Sequence, residues 1–320
     1  MVLVKSFDNF FYILSIKAAN CKHFCKRLIR SSYDYYNKIA WPAQAPCRGQ
    51  AQGNCVICYN IHMKVTSQFV QTPGAPLPAD FMQTLPGFFT GGGTIIHNAR
   101  NQIRVFDVNG RKINVKKFCI PPIVNRVLYS LGWRTPKAVS TYKNAQEILK
   151  RGFHTPAPYG YRIERNGGLL NFSYFISEQQ ENMRPIRDGG NDPALITAVA
   201  EYTAALHGKG LFHRDYTPGN ILYRVENGKY YFSLVDINRF RFFDGPVPHN
   251  LVLRNLMQPF YDDETLKQFI REYQKFAPSV GDVETAVLRR RHFRNFYDDT
   301  KRKLKKIPGV SLFLGKNLKK

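Results

Sequence analysis

The chain has 320 residues, with 47 Lys and Arg against 23 Asp and Glu and a formal charge of +24 at pH 7. Its apolar fraction of 43% supplies a sizeable core, which excludes a chain disordered throughout. No apolar run approaches the roughly 18 residues of a spanning helix, and no signal-peptide pattern opens the chain, so the expected place is the cytoplasm. The charge favours anionic partners (nucleic acid, an anionic membrane face, phosphorylated or acidic sugars) without choosing among them.

The first 62 residues stand apart: they hold five of the six cysteines (Cys21, Cys25, Cys47, Cys55 and Cys58), eight Lys or Arg, two Asp and no Glu. Cys55 and Cys58 have metal-ligand spacing, and Cys21 with Cys25 could supply a second pair. The composition shift at Met63 is the simpler reading: residues 1–62 are an extension unrelated to the domain, with translation starting at Met1 or at Met63.

Along the body, residues 94–97 read as a short strand after a linker, Gly91 to Gly93. Residues 102–108 and 111–118 are strands joined at Asn109-Gly110, a two-residue hairpin signal. Thr135-Pro136 opens a helix to about Arg151, with an expected apolar stripe of Ala138, Tyr142, Ala145 and Leu149. Residues 159–163 and 169–177 flank Asn166-Gly167-Gly168 as a second hairpin. Asp192-Pro193 starts a long helix through Leu206, closed by Gly208 and Gly210. Asn227-Gly228 turns a third hairpin, and residues 262–276 and 281–297 read as helices. The order is α+β, a sheet-rich lobe (63–180) followed by a mainly helical one (181–320). From Arg289 to Lys320 there are twelve Lys or Arg against Asp298 and Asp299, with Phe293, Phe296, Leu304 and Ile307 interspersed and Val287 just before. Such a basic amphipathic helix is either a solvated surface or a surface for anionic lipid or polyanion.

The sharpest chemical signal is His213-Arg214-Asp215-Tyr216-Thr217-Pro218-Gly219-Asn220, in a loop after the long helix. Asp236, 21 residues beyond Asp215, ends the strand that the third hairpin delivers. Phosphoryl transfer needs these residue types. Hard oxygen ligands such as those of Asn220 and Asp236 hold Mg²⁺ against the dense negative charge of ATP. A separate carboxylate, Asp215, accepts the proton of the attacking hydroxyl.

This set resembles the protein-kinase-like superfamily, with His-Arg-Asp and an Asn five residues on as its catalytic loop. Asp236-Ile237-Asn238-Arg239 stands where Asp-Phe-Gly would be. The resemblance makes residues 111–118 the third strand and Lys116 the candidate for the α/β-phosphates, while Lys117 points to the other face by strand alternation. It also makes Glu178-Gln179-Gln180 the adenine-binding hinge, with Glu178 and Gln180 as its candidate contacts. The departures are Thr217 where protein kinases carry lysine, no Ala-Pro-Glu, no room for an activation segment, and no Gly-x-Gly-x-x-Gly. The phosphate loop is then 98–101 with Arg100 facing phosphate.

A finer match, in Arg100-Asn101, Val115-Lys116-Lys117-Phe118 with Asn125-Arg126, Gly152 to Pro158, and 235–239, looks like the lipopolysaccharide core kinases, over about Met63 to Tyr297. That resemblance implies an ATP- and Mg²⁺-dependent kinase for a Kdo or heptose hydroxyl of the lipopolysaccharide inner core. Such an enzyme works peripherally on the inner face of the inner membrane, against an anionic membrane surface, with nucleic acid not its partner. Kinases of this fold pair the strand lysine with a helix glutamate. Glu147 is the only acid in 137–151, and it lies opposite the expected stripe, where it would pair with Arg151 instead. His207 and His213 read as structural supports of the loop. The alternatives are a kinase for another small molecule or a protein, and a non-catalytic kinase-like binder of polyanions.

Overall fold

The computed structural model describes residues 65–304, all within one unit, Ile61–Lys320. The extension with its five cysteines, Met63 and Ile307 lie outside the described residues. Eleven strands and seven α-helices follow one another in this span, the sheet-rich half first.

The first half is a six-stranded antiparallel sheet. Its strands are β1 (Val65–Gln71), β2 (Thr94–Asn98), β3 (Gln102–Val108), β4 (Arg111–Phe118), β5 (Pro158–Asn166) and β6 (Leu169–Glu178), in the spatial order β1-β5-β6-β4-β3-β2. The hairpin signals act as their chemistry dictates. Asn109 and Gly110 take φ of 54° and 71°, and Gly167 and Gly168 take 57° and 78°, the paired left-handed geometry whose twist matches the flanking strands. β1, at one edge, is a strand the sequence reading passed over.

Both faces of this sheet are covered. On one, α1 (Phe81–Gly91) buries Phe81, Met82, Leu85 and Phe89 against Phe106, Ile113, Val115, Tyr174 and Ile176. The reading of the sequence placed no element here, and Pro86 inside the helix explains why: an interior proline costs about 3 kcal/mol. Four buried side chains at about 1.5–3 kcal/mol each offset that. Gly91 to Gly93 is therefore the end of α1 and its turn into β2. Gly93, at φ 77°, lies so close to Phe106 that a Cβ would meet the ring at 2.5 Å.

The opposite face carries α3 (Lys137–Lys150), whose Ala138 and Tyr142 pack on Phe118 and Phe175. The expected stripe needs one correction: Ile148 is fully buried and Leu149 is exposed. Ala145 and Ile148 join the core of the second half, so α3 is packed on two sides and its stripe turns away from Leu149. A short helix, α2 (Ile123–Ser130), precedes it with no buried residue of its own. Arg126 Nε donates to the Leu170 carbonyl (2.8 Å), which ties α2 to the sheet.

The second half is built on α4 (Pro193–Gly208), α5 (His249–Leu256), α6 (Asp263–Phe276) and α7 (Glu284–Leu304), with the hairpin β9 (Ile221–Glu226) and β10 (Lys229–Leu234). Asp192 caps α4 by accepting from the Ala194 amide (3.0 Å), and Asp262 caps α6 through the Thr265 amide (2.8 Å). The remaining strands are two residues each: β7 (Arg184–Pro185), β8 (Leu211–Phe212) and β11 (Arg241–Phe242), with β8 and β11 paired. Gly210, at φ 72°, lets the chain turn from α4 into β8, where a Cβ would collide with the Phe243 and Gly245 carbonyls.

Candidate active site

Strand alternation decides which lysine enters the cleft. Ile113, Val115 and Lys117 face α1, and the Lys117 ammonium sits 3.9 Å from the Phe172 ring centre. Burial lowers its pKa. Lys116 points the other way and pairs with Asp236 (Nζ to Oδ1, 2.7 Å).

Asp236 is delivered by β10. Its backbone is left-handed (φ 56°, ψ 42°), a conformation uncommon for a residue with a side chain, held here by the surrounding bonds. The Val235 amide donates to the Asn220 carbonyl (3.0 Å) and the Leu234 amide to the His154 carbonyl (3.0 Å). From α3, Asn144 Nδ2 donates to the Ile237 carbonyl (2.7 Å). Burial works to raise the Asp236 pKa, but the Lys116 ammonium, with His213 and Lys137 behind it, outweighs burial and holds the carboxyl below its usual range.

The loop carrying Asp215 and Asn220 is braced by its own atoms. The Asp215 amide donates to His213 Nδ1 (3.1 Å), so His213 Nε2 carries the proton donated to the Val235 carbonyl (3.0 Å). Asn220 Nδ2 donates to the Asp215 carbonyl (2.8 Å), which leaves Asn220 Oδ1 as a free acceptor. A buried relay holds the loop from below. Asn255 Nδ2 donates to the His213 carbonyl (2.7 Å), so its Oδ1 accepts from His207 Nε2 (3.1 Å) while Tyr273 OH donates to His207 Nδ1 (2.9 Å). Burial pushes His207 down to about 4 and lowers His213 as well. Both rings are neutral braces at pH 7.

The structure thus brings Lys116, Asp236, Asp215 and Asn220 to one place. Arg100, in the β2–β3 turn, lies within electrostatic reach of Lys137, which also feels Asp236 and Lys116. Glu178 and Gln180 sit at the far end of β6. There the Glu178 amide is committed to the Ala157 carbonyl and the Gln179 amide to the Lys112 carbonyl. Gln180 Nε2 donates to Glu178 Oε2 (3.2 Å). An adenine edge at this hinge would therefore have to meet the main chain of Gln180.

Two site residues escaped the sequence reading. Lys137 opens α3 half-buried, its pKa lowered first by burial and then by the Arg100 charge. The reading looked for an acid on this helix, and the signal for Lys137 was its place right after Thr135-Pro136. Arg239 is the other: its Nη1 is 3.4 Å from both Asp215 carboxylate oxygens. Glu147, by contrast, bonds Arg151 Nε (2.7 Å) while Arg151 Nη1 reaches the Phe243 carbonyl (2.7 Å). Among the described residues the counter-ion of Lys116 is Asp236, not an acid of α3.

The donor set fits a hard divalent cation: one carboxylate with an unbonded oxygen (Asp236) and one amide oxygen left free by its own nitrogen (Asn220). Lys116, Lys137 and Arg100 gather positive charge at one end, as a polyphosphate requires.

Residues 97–244 match the model of the lipopolysaccharide kinase (Kdo/WaaP) family, a narrower span than the 63–297 expected from the motifs. No curated protein sequence matches the chain. Among solved structures, WaaP in complex with acyl carrier protein is similar at 15% identity, with TM-score 0.49, covering 71% of this chain and 97% of that one. The Rio2 kinase from Chaetomium thermophilum, solved as an ADP/Mg²⁺-phosphoaspartate complex, is similar at 15% identity, with TM-score 0.35, covering 57% of this chain and 55% of that one. The match to the lipopolysaccharide kinase (Kdo/WaaP) family thus runs from β2 to just past β11, somewhat under half of the chain, and takes in Lys116, Asp215, Asn220 and Asp236.

Proposed function

We propose that the chain transfers the γ-phosphoryl group of ATP to a sugar hydroxyl, Kdo or heptose, of the lipopolysaccharide inner core. The observation that carries this reading is the convergence of Lys116, Asp236, Asn220 and Asp215 within the segment that matches the lipopolysaccharide kinase family. Lys116, Lys137 and Arg100 would hold the phosphates, and Asp236 with Asn220 would hold Mg²⁺. When bound, that cation neutralises charge on the phosphates. Asp215 would orient the acceptor hydroxyl and take its proton as the oxygen bonds to the γ-phosphorus and ADP departs. Thr217, where a protein-directed kinase would carry lysine, favours a small acceptor over a protein.

Peripheral attachment to the inner face of the inner membrane belongs to the same reading, because the acceptor is a lipid. No helix among the described residues is long and apolar enough to cross a membrane. On α7, Val287 and Arg291 are buried, whereas Phe293, Phe296 and Tyr297 are 71%, 69% and 57% exposed. Arg290, Arg294 and Lys301 flank this second apolar face, the composition of a helix lying in an anionic interface.

The test is transfer from labelled ATP with Mg²⁺ to a Kdo-bearing lipid A, comparing the protein with Asp215→Ala. Label on the lipid that vanishes in the variant, with the melting transition unchanged, supports the reading. Equal transfer by the variant refutes the mechanism. No label on the lipid with ATP still consumed redirects the acceptor to other sugars. Vesicles containing anionic lipid should retain the protein and release Phe293→Ser/Phe296→Ser. Equal retention of the variant removes α7 as the contact.

A further inference from the structure

Arg254 lies within electrostatic reach of three other arginines from separate elements, Arg214, Arg239 and Arg294, and of Asp215, the carboxylate assigned to the acceptor. Arg214 is exposed and directly precedes Asp215. Arg239, just past the left-handed Asp236, makes a long contact with both Asp215 oxygens at 3.4 Å, weak by its length and exposure. Arg254 lies half-buried on α5, next to Asn255, whose 2.7 Å bond to the His213 carbonyl fixes α5 against the loop. α7 is fixed to α5 in turn, with Arg290 Nη1 donating to the Asn250 carbonyl (2.8 Å), and it brings Arg294, whose paired acid Asp298 is 3.7 Å away. The Arg254 guanidinium is held below its usual range by burial and then by the like charges of Arg214, Arg294 and Arg239, with Asp215 opposing them.

The charges of Arg214, Arg239 and Arg294 repel the half-buried Arg254 guanidinium, and Asp215 offsets them only in part. Such an arrangement is relieved by an incoming anion, and guanidinium forks match oxyanions bidentately. We infer, on the reading of the chain as a sugar kinase given above, that Arg214, Arg239 and Arg254, with Arg294 behind them, seat an oxyanion of the acceptor close to the hydroxyl that Asp215 faces. The bound oxyanion competes with Asp215 for Arg239, so seating the acceptor also frees the carboxylate to take the hydroxyl proton. The acceptor thereby carries an anionic group, a carboxylate or a phosphate, close to the hydroxyl that receives the phosphoryl group.

Two measurements test this. Steady-state transfer to a Kdo-bearing lipid A is followed for Arg254→Gln, Arg214→Gln and Arg254→Lys. Expected is a tenfold or greater rise in acceptor KM for the glutamine variants, a KM for ATP within twofold, and partial recovery in Arg254→Lys. Acceptor with its sugar carboxyl esterified, or with its lipid A phosphates removed, shows which oxyanion is seated: the right one costs the wild type as much as the variant loses. Acceptor KM unchanged in both glutamine variants overturns the inference, as does a parallel rise in both KM values.

The second measurement needs no acceptor. With a non-hydrolysable ATP analogue and Mg²⁺ in the nucleotide site, inorganic phosphate binding is followed by calorimetry. Binding weakened at least tenfold in Arg214→Gln/Arg254→Gln upholds the oxyanion site even where lipid transfer fails and the proposed acceptor falls. Equal binding by protein and variant overturns it.

Discussion

His207 should make the protein acid-sensitive in a defined window. Its folded pKa is about 4 against an ordinary value near 6.5, because charging it would put a cation in a buried relay where Asn255 accepts and Tyr273 donates. The unfolded chain therefore binds the proton first, and stability is present above the unfolded pKa and lost as pH falls through the window. Between about pH 7 and about pH 5 this one group removes about 2 kcal/mol, and about 3 kcal/mol by about pH 4. For a chain of 320 residues 2 kcal/mol is a fall in melting temperature of about 3 °C. The assay is urea unfolding of the wild type and His207→Gln at both pH values. Glutamine does not titrate, so the variant, although weaker at neutral pH, should lose about 2 kcal/mol less on acidification. Groups common to both proteins, His213 included, cancel in that difference. An identical acid loss in His207→Gln would refute the reasoning.

Three further outcomes are expected. Asn255→Ala orphans the His207 Nε2–H and the His213 carbonyl in a fully buried place and should cost about 2–5 kcal/mol in urea unfolding; a loss under 1 kcal/mol would show that the relay does not hold the loop. Glu147→Gln should lower phosphoryl transfer by no more than a few-fold and stability by less than about 1 kcal/mol, because Glu147 pairs with Arg151 at the surface; a hundredfold loss of transfer would put it in the site. Lys137→Met should raise the KM for ATP roughly tenfold through loss of one charge-assisted bond, and an unchanged KM would remove Lys137 from the phosphate end.

Much of the site was legible because its signals are local. Spacing alone places Asp215 and Asn220 on one loop, and the Asn227-Gly228 turn (φ of 51° and 74°) returns Asp236 beside them. Period-two alternation alone separates Lys116 from Lys117. What escaped depends on partners distant in sequence. Lys137 lies in no motif and Arg239 sat in the 235–239 match without a role; their meaning comes from Arg100 and Asp215, which the chain brings near only when folded. α1 contradicts its own propensity at Pro86 and exists because the sheet offers Phe106, Val115 and Tyr174 to cover. The Leu149 position failed for a related reason: a helical wheel has one apolar face, and α3 is packed from two sides.

The sequence by itself determined the α+β order, the hairpins, the two helix caps and the kinase-like residue set, since turn chemistry, capping and strand periodicity act within a few residues. Tertiary structure alone decided that Lys116 finds its counter-ion in Asp236 rather than in an acid of α3, and that His207, Asn255 and His213 form one buried relay beneath the loop. It alone brought Arg214, Arg239, Arg294 and Asp215 within electrostatic reach of Arg254. Charge and hydrogen-bond complementarity act through space, over distances that the chain closes only when its helices pack.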